Sequence, residues 1–246
     1  MNSHNSGVSS IRNDRSGVLI QLLVLLTVLW IPVAVVGGAV RALTTDAFLA
    51  LEYGKPGFPP DTYGYTSQQR FDLASTAVHY VLAHLPDDAL SLQALDGASI
   101  YTPGEVTHMA DVRSVFRSVL GLWHLGLGVL LLLAVVLWQH GGSENTASAI
   151  RLGGLLTSGL TLGIAVLALL AWKVWFESFH RLFFAPGSWL FSYSDTLIRL
   201  FPFEFWFDAT LTISGLSLGS GLLLALAGLR WNAGLIRGPQ EKGIRI

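Results

Sequence analysis

Two Glu-x-x-His patterns hold the side chains best suited to chemistry in this chain of 246 residues. Glu105 stands three positions before His108, and Glu177 stands three positions before His180. Imidazole titrates near about pH 6.5, and a carboxylate bound to one ring nitrogen orients the other nitrogen. The pattern therefore predicts general acid–base catalysis by the two histidines, with Glu105, Asp111 and Glu177 as supporting acids.

The same residues also fit a metal site, and the chain could instead have no enzymatic activity. A Glu-x-x-His pair on each of two antiparallel helices is half of a di-iron carboxylate site, which needs a further Glu from each of two other helices. Glu52 and Glu204 are the candidates, and a single hydrolytic zinc site is a variant of this hypothesis. The alternatives are a metal-dependent membrane hydrolase or oxidase and a non-enzymatic membrane interaction protein. The main hypothesis includes no bound metal and no cofactor.

The composition is typical of a membrane protein. Hydrophobic residues make up 52% of the chain and charged residues 13%, about half of the ~25% that soluble domains carry. The net charge of −1, with no basic patch, argues against a nucleic acid as partner. The chain has no cysteine, which excludes disulfides, thiol catalysis and cysteine-bound metals within it.

Four apolar stretches are long enough to cross a bilayer as helices, because about 20 helical residues span its core. They lie at about 17–43, 119–138, 152–174 and 207–229. We predict an all-α membrane protein with one domain over 17–230, a four-transmembrane-helix bundle with a structured extracytoplasmic cap of amphipathic helix and loops. Residues 1–16 are expected to form a disordered cytoplasmic N-terminus, and residues 231–246 a cytoplasmic tail.

The distribution of charge predicts the orientation of the spans. The two chain ends and the short connection after the second span carry seven bases and three acids, whereas the rest of the chain carries eight bases and thirteen acids. Basic residues accumulate on the cytoplasmic side of a membrane. Both termini are therefore predicted to be cytoplasmic, and the long loops 44–118 and 175–206 extracytoplasmic.

The elements around the histidines can be predicted from local signals. Thr102 can cap a helix that starts at Pro103, with Glu105 reaching back to the cap, and this helix should continue into the second span. The third span returns to the same membrane face, where its end carries His180. We therefore expect His108 and His180 at one depth, facing each other across a cleft.

Two further outer segments have recognisable patterns. Thr66 and Gln69 form a capping-box pattern before an amphipathic helix over about 66–85, and the proline- and glycine-rich segment 55–65 should be extended. Aromatic residues crowd 176–207, and a break at 185–189 lets that segment fold back as a lid over acyl chains or lie as an aromatic belt. The polar rim of such a lid would be Asp195, Arg199 and Glu204.

Three strings of this sequence are similar to one known family. EVTHMADVRSVF, followed about 70 residues later by FHRLFFAPGSWLFSYSDTLIRLFPFEFW, resembles the bacterial four-span lipoprotein intramolecular transacylase (Lit) family. DTYGYTSQQRFDLASTAVHYVL resembles that family's first outer loop. The resemblance covers roughly residues 17–230, and it implies that His108 and His180 correspond to the family's paired histidines.

The resemblance implies an acyltransferase. Its reaction would move the sn-2 acyl chain of an S-diacylglyceryl-cysteine lipoprotein to the α-amino group of the same cysteine, giving the lyso-form. The partners would be a diacylated bacterial lipoprotein and membrane lipids, with the active site at the extracytoplasmic face of the bacterial cytoplasmic membrane.

We expect one histidine to act as the base and the other as an acid or oxyanion donor. His108 is favoured as the base because Glu105 and Asp111 flank it at helical spacing, and the reverse assignment stays open. The residues expected to bind the substrate are Arg113, Arg117, Arg181, Trp189 and Tyr63.

Overall fold

The computed structural model describes the backbone of residues 5–241 and the side chains of residues 16–235. The elements in chain order are α1 (Asn5–Leu43), α2 (Asp46–Gly54), α3 (Ser67–Val81), β1 (Ala94–Leu95), β2 (Ala98–Ser99), α4 (Pro103–Leu170), α5 (Trp172–Phe183), α6 (Thr196–Leu200) and α7 (Phe203–Glu241). The two strands pair as a short antiparallel hairpin. The predicted disordered segment 1–16 is helical from residue 5 onward, and the predicted tail 231–246 continues α7 as far as residue 241. Residues 1–4 and 242–246 lie outside the described residues. The cytoplasmic location of both segments stays a prediction.

Three of the described helices are long and apolar enough to cross a membrane: Ser16–Leu43, Pro103–Leu170 and Phe203–Leu235. Their leucines are widely exposed, for example Leu131 at 67% and Leu223 at 69%. Soluble monomers rarely expose apolar surface over such lengths, whereas lipid chains solvate it. The prediction of an all-α membrane protein is confirmed.

Helix α4 contains the whole second predicted span and the third as far as Leu170, with a single break between them. The third predicted span is therefore four residues too long, because Ala171 leaves the helical conformation with φ −146° and ψ 53°. Its backbone leaves the helical region only at Gly142, where φ is 77° and ψ is 176°, a conformation that glycine adopts without a steric penalty. Asn145 Nδ2 and Thr146 Oγ1 donate to the carbonyls of Gly141 and Gly142 at 2.7 and 2.9 Å. These bonds satisfy carbonyls that the break exposes.

One compact unit comprises residues up to 36, 123–162 and those from 216 onward. Its helices approach closely where glycines lack side chains. A Cβ on Gly154 would lie 2.4 Å from the carbonyl oxygen of Gly221, and a Cβ on Gly228 would lie 2.5 Å from that of Ala147. Trp123 Nε1 donates to Ala34 O at 3.0 Å. Small residues at helix contacts are the usual basis of packing within membranes.

The second compact unit comprises residues 37–122 and 163–215. Its main core contains the buried side chains of Tyr80, Leu90, Tyr101, Met109 and Leu200, and a smaller core contains Leu49, Ala74 and Phe205.

Local signals set the helix starts in this second unit. Both predicted capping boxes are confirmed, one formed by Thr66 and Gln69 and the other by Thr102 and Glu105. Helix α3 ends at Val81, before the predicted residue 85, because Ala83 takes a left-handed conformation with φ 61° that a continuing helix does not allow.

We expect Gly154→Ala to destabilise the protein by about 1–3 kcal/mol, because its Cβ would press against the backbone of Gly221 and Ala225. Gly159→Ala is the matched control in the same helix, since nothing lies within 4 Å of its added Cβ. That substitution should be neutral or stabilise by up to about 1 kcal/mol. Thermal unfolding in detergent measures both, and equal effects would contradict the close helix approach.

Candidate active site

His108 lies in the second turn of α4, where its ring is buried among aromatic side chains. The ring centroids of Phe184 and Phe191 lie 4.9 and 5.5 Å from that of His108, both edge-on. The Nδ1 atom of His108 is buried and has no hydrogen-bond partner. A buried polar atom without a partner lowers the stability of the fold by about 1–3 kcal/mol, so we infer that this nitrogen is kept for a functional role.

His180 lies in the last turn of α5, facing His108. The two imidazole centroids are 6.4 Å apart and the ring planes are inclined by 23°. This separation lies near the long end of the range for neighbouring aromatic rings, and the two ring planes are close to parallel. The structure therefore brings together the two histidines that the sequence singled out, although they are 72 positions apart.

The tautomer of His180 is set by a backbone contact. Its Nδ1 lies 2.8 Å from the carbonyl oxygen of Phe176, and a carbonyl can only accept, so Nδ1 carries the proton and Nε2 of the neutral ring keeps its lone pair. The rings of Phe176 and Trp189 cover the imidazole at 4.1 and 4.8 Å between centroids. This burial lowers the pKa of His180 below its ordinary value, against a smaller opposing effect of the Phe176 carbonyl.

Glu105 is fully buried, and its carboxylate binds backbone groups instead of His108. Its Oε2 accepts from the N–H and hydroxyl of Thr102 at 2.8 and 3.0 Å, and its Oε1 accepts from Leu197 N at 2.7 Å. The expectation that Glu105 supports His108 as a proton partner is therefore corrected. Glu105 instead joins the start of α4 to α6.

The other two predicted supporting acids do not contact the histidines either. Asp111 is exposed. Glu177 lies on α5 and pairs with Arg181 at 3.1 Å and with Lys173 at 3.8 Å, both on the same helix. Within the described part of the chain, no group of three or more acidic, histidine or cysteine side chains is placed to hold a metal ion.

Of the predicted substrate-binding arginines, Arg117 and Arg181 are exposed, whereas Arg113 is largely buried. Arg113 stacks its guanidinium over the Tyr80 ring at 4.6 Å and pairs with Asp87 at 3.2 Å. Arg113 and Arg117 line one surface pocket together with Ser114. Arg181 is largely exposed.

The two predicted aromatic substrate contacts occupy different surroundings. Trp189 lies against His180, and its buried Nε1 has no hydrogen-bond partner. Tyr63 lies 5.5 Å from the guanidinium of Arg199 and contributes no ring contact to the histidine pair among the described residues. Of the two, only Trp189 belongs to the aromatic enclosure of the histidines.

An ion pair holds the segment beside the site. The sequence singled out Arg199 as part of a polar rim but did not predict its partner. Arg199 Nε and Nη2 donate to the two carboxylate oxygens of Asp61 at 3.0 and 2.9 Å, and these bonds lower the pKa of Asp61. Arg70 donates to the Arg199 carbonyl at 2.7 and 3.1 Å. The sequence signal for this network was weak, because Arg199 lies more than 100 positions from both Asp61 and Arg70.

Comparisons with known proteins agree with this fold. The family model described as "Lipoprotein intramolecular transacylase Lit" matches residues 22–206. A protein of Aquifex aeolicus (strain VF5), described as uncharacterized, is 31% identical over 217 residues, which is 85% of this chain and 94% of that protein.

Solved structures show the same fold. The membrane integral lipoprotein intramolecular transacylase Lit of Bacillus cereus superposes with a TM-score of 0.71 at 18% identity, over 90% of this chain and 99% of that chain. A structure of the same protein with a histidine-to-alanine mutation has a TM-score of 0.62 at 19% identity, over 92% and 99% of the two chains. The family model matches well over half of this chain. The chain therefore belongs to the lipoprotein intramolecular transacylase family, whose members are acyltransferases.

Proposed function

We propose that this protein moves the sn-2 acyl chain of a diacylated bacterial lipoprotein to the α-amino group of the lipoprotein's own S-diacylglyceryl-cysteine. The observation that carries the proposal is the pair of imidazoles, His108 and His180, with ring centres 6.4 Å apart inside an aromatic enclosure. Membership of the transacylase family supports the reaction class. The product is the lyso-form lipoprotein.

The reaction balances without any added reactant. The neutral α-amine attacks the carbonyl carbon of the sn-2 ester, and a tetrahedral oxyanion forms. The carbon–oxygen bond to glycerol then breaks and an amide remains. One proton leaves the nitrogen and one proton reaches the glycerol oxygen, so a base and an acid at the two ends of the reacting group suffice.

The hydrogen bonds favour His180 as the base. Its Nδ1 donates to the Phe176 carbonyl, which leaves the Nε2 lone pair to take the proton of the amine. Glu105, the carboxylate predicted to support His108 as the base, binds Thr102 and Leu197 instead. We assign His108 the role of hydrogen-bond donor to the oxyanion, the reverse of the assignment that the flanking acids suggested. The proton that His180 takes from the amine is the one that reaches the glycerol oxygen, and His180 returns to its neutral form.

The aromatic enclosure supports transfer to an amine over hydrolysis. The side chains of Phe176, Phe184, Trp189 and Phe191 surround the imidazoles, and a site that excludes water protects the ester and strengthens each hydrogen bond. Trp189 Nε1 and His108 Nδ1 are buried polar atoms without partners. Polar atoms of the bound substrate are their natural partners once the aromatic segment admits it.

Three arginines fit the polar part of the substrate. Arg113, Arg117 and Ser114 offer donors at one pocket, and Arg181 offers a largely exposed guanidinium one position after His180. Guanidinium groups bind carbonyl and phosphate oxygens strongly. We assign them to peptide or headgroup oxygens, outside the reacting centre.

We also propose four membrane crossings, with α4 supplying two on either side of Gly142. The seven bases of the chain ends and the 139–151 connection assign those parts to the cytoplasm. The histidine pair then faces the extracytoplasmic side of the bacterial cytoplasmic membrane. Diacylated lipoproteins carry their acyl esters at headgroup depth, where the ends of such helices lie.

Alanine at His108 or at His180 should abolish formation of the lyso-form, a loss of at least about 100-fold as expected for removal of a general acid or base. The measurement is mass spectrometry of a reporter lipoprotein incubated with the purified variant in detergent. His140→Ala is the matched control, because His140 is exposed, and it should retain full activity. Normal conversion by both histidine variants would disprove the proposal, and loss of activity with chelators would favour the metal alternative.

The pH dependence of the rate should show a limb that belongs to a histidine with a lowered pKa. Because burial lowers the pKa of His180, its base form persists below about pH 6.5, and the rate should fall only at more acidic pH. The substrate amine adds a separate rise near its own ordinary pKa of about 8. Initial rates of lyso-form production between pH 4.5 and 9 are the measurement, spanning roughly two units on either side of the ordinary imidazole value. A histidine limb above that value would contradict the assignment.

A further inference from the structure

Helix α3 ends in a Schellman motif whose side chains are unusual. The N–H of Ala83 donates to Tyr80 O at 2.9 Å, and the N–H of His84 donates to His79 O at 2.9 Å. Leu82 is the last near-helical residue, and Ala83 has φ 61°. Glycine commonly fills this left-handed position, so alanine there accepts a local conformational cost of about 1 kcal/mol.

This motif brings two histidines together. A Schellman motif places the side chain two positions after the cap against the side chain in the last helical turn, a contact that is apolar in most proteins. Here the two residues are His84 and His79. Their Nδ1 atoms lie 3.2 Å apart, and their ring centroids lie 5.4 Å apart.

The contact between the two nitrogens is a hydrogen bond in the metal-free protein, and its length is close to the separation of two ligands on one metal ion. Zn²⁺ binds imidazole nitrogen at about 2.0–2.1 Å with tetrahedral angles, which separates two such nitrogens by about 3.3–3.4 Å. The 3.2 Å between His79 Nδ1 and His84 Nδ1 needs only a small rotation of the rings to meet this value. His79 is 40% exposed and His84 is also exposed, so an ion can reach both.

A carboxylate already orients one of these rings. Asp46, in the first turn of α2, places Oδ2 3.0 Å from His79 Nε2, so this nitrogen carries the proton of the neutral ring and Nδ1 keeps its lone pair. Ser75 Oγ donates to the other oxygen of Asp46 at 2.8 Å. Carboxylate–histidine–metal relays of this form fix the tautomer and raise the basicity of the ligating nitrogen.

We propose that His79 Nδ1 and His84 Nδ1 form a binding site for a divalent late transition metal ion such as Zn²⁺, with Asp46 orienting His79. Two imidazoles suit zinc, nickel and copper, whereas magnesium and calcium prefer oxygen ligands. Water completes the coordination, which is consistent with the lack of any three-ligand group among the described residues. A bound ion would join residues on either side of the α3 terminus and link them through Asp46 to α2.

The test is Zn²⁺ titration of the full-length, tag-free protein in detergent by isothermal calorimetry. We expect one ion per chain, and at least a 10-fold loss of affinity in His79→Gln and in His84→Gln. Asp46→Asn should lower the affinity by about 10-fold or more, because it removes the carboxylate of the relay. His140→Gln is the matched control and should bind as the parent does.

A second set of measurements separates this site from the proposed active site and from misfolding. The double variant His108→Gln and His180→Gln should bind Zn²⁺ normally, and its lyso-form production should be lost. Zn²⁺ should raise the melting temperature of the parent protein and of Ala83→Gly, which relieves the left-handed strain, but not that of His84→Gln. Unchanged binding in both His79→Gln and His84→Gln, or loss of binding in the active-site double variant, would overturn the proposal.

Discussion

The buried carboxylate of Glu105 is the constraint on which the candidate site depends. It is fully inaccessible to solvent. It accepts hydrogen bonds from Thr102 at the start of α4 and from Leu197 in α6, which lies 92 positions after Glu105. A buried charge is costly unless such bonds compensate it. Because this one group binds both segments, His108 and the aromatic residues that precede α6 stay in register.

The second requirement is a neutral imidazole with a defined lone pair. The carbonyl of Phe176 sets the tautomer of His180, and burial lowers the pKa of the ring, which favours its uncharged form. In a Ser-His-Asp arrangement, a carboxylate fixes the tautomer of the histidine. Here a backbone carbonyl fixes the tautomer of His180. Under the proposed function, the aromatic enclosure would favour the intramolecular amine over water as the group that reaches the ester.

Sequence reasoning succeeded where the information was local. The two capping boxes, the start of α4 at Pro103, the end of α5 before residue 185 and the pairing of His108 with His180 all followed from residue types within a few positions or from simple topology. It failed where one group had two possible partners. Glu105 satisfied both the capping pattern and the histidine pattern, and only its contact with Leu197 shows which one the folded chain uses.

The most direct test of the central claim is the tautomer of His180, measured by nitrogen-15 NMR of the histidine-labelled protein in detergent, with the His180→Gln variant to assign the signal. We predict that at pH 7 the ring of His180 is neutral, with its proton on Nδ1 and an unprotonated Nε2. A protonated imidazolium at pH 7, or a neutral ring with its proton on Nε2, would contradict the role of His180 as the base.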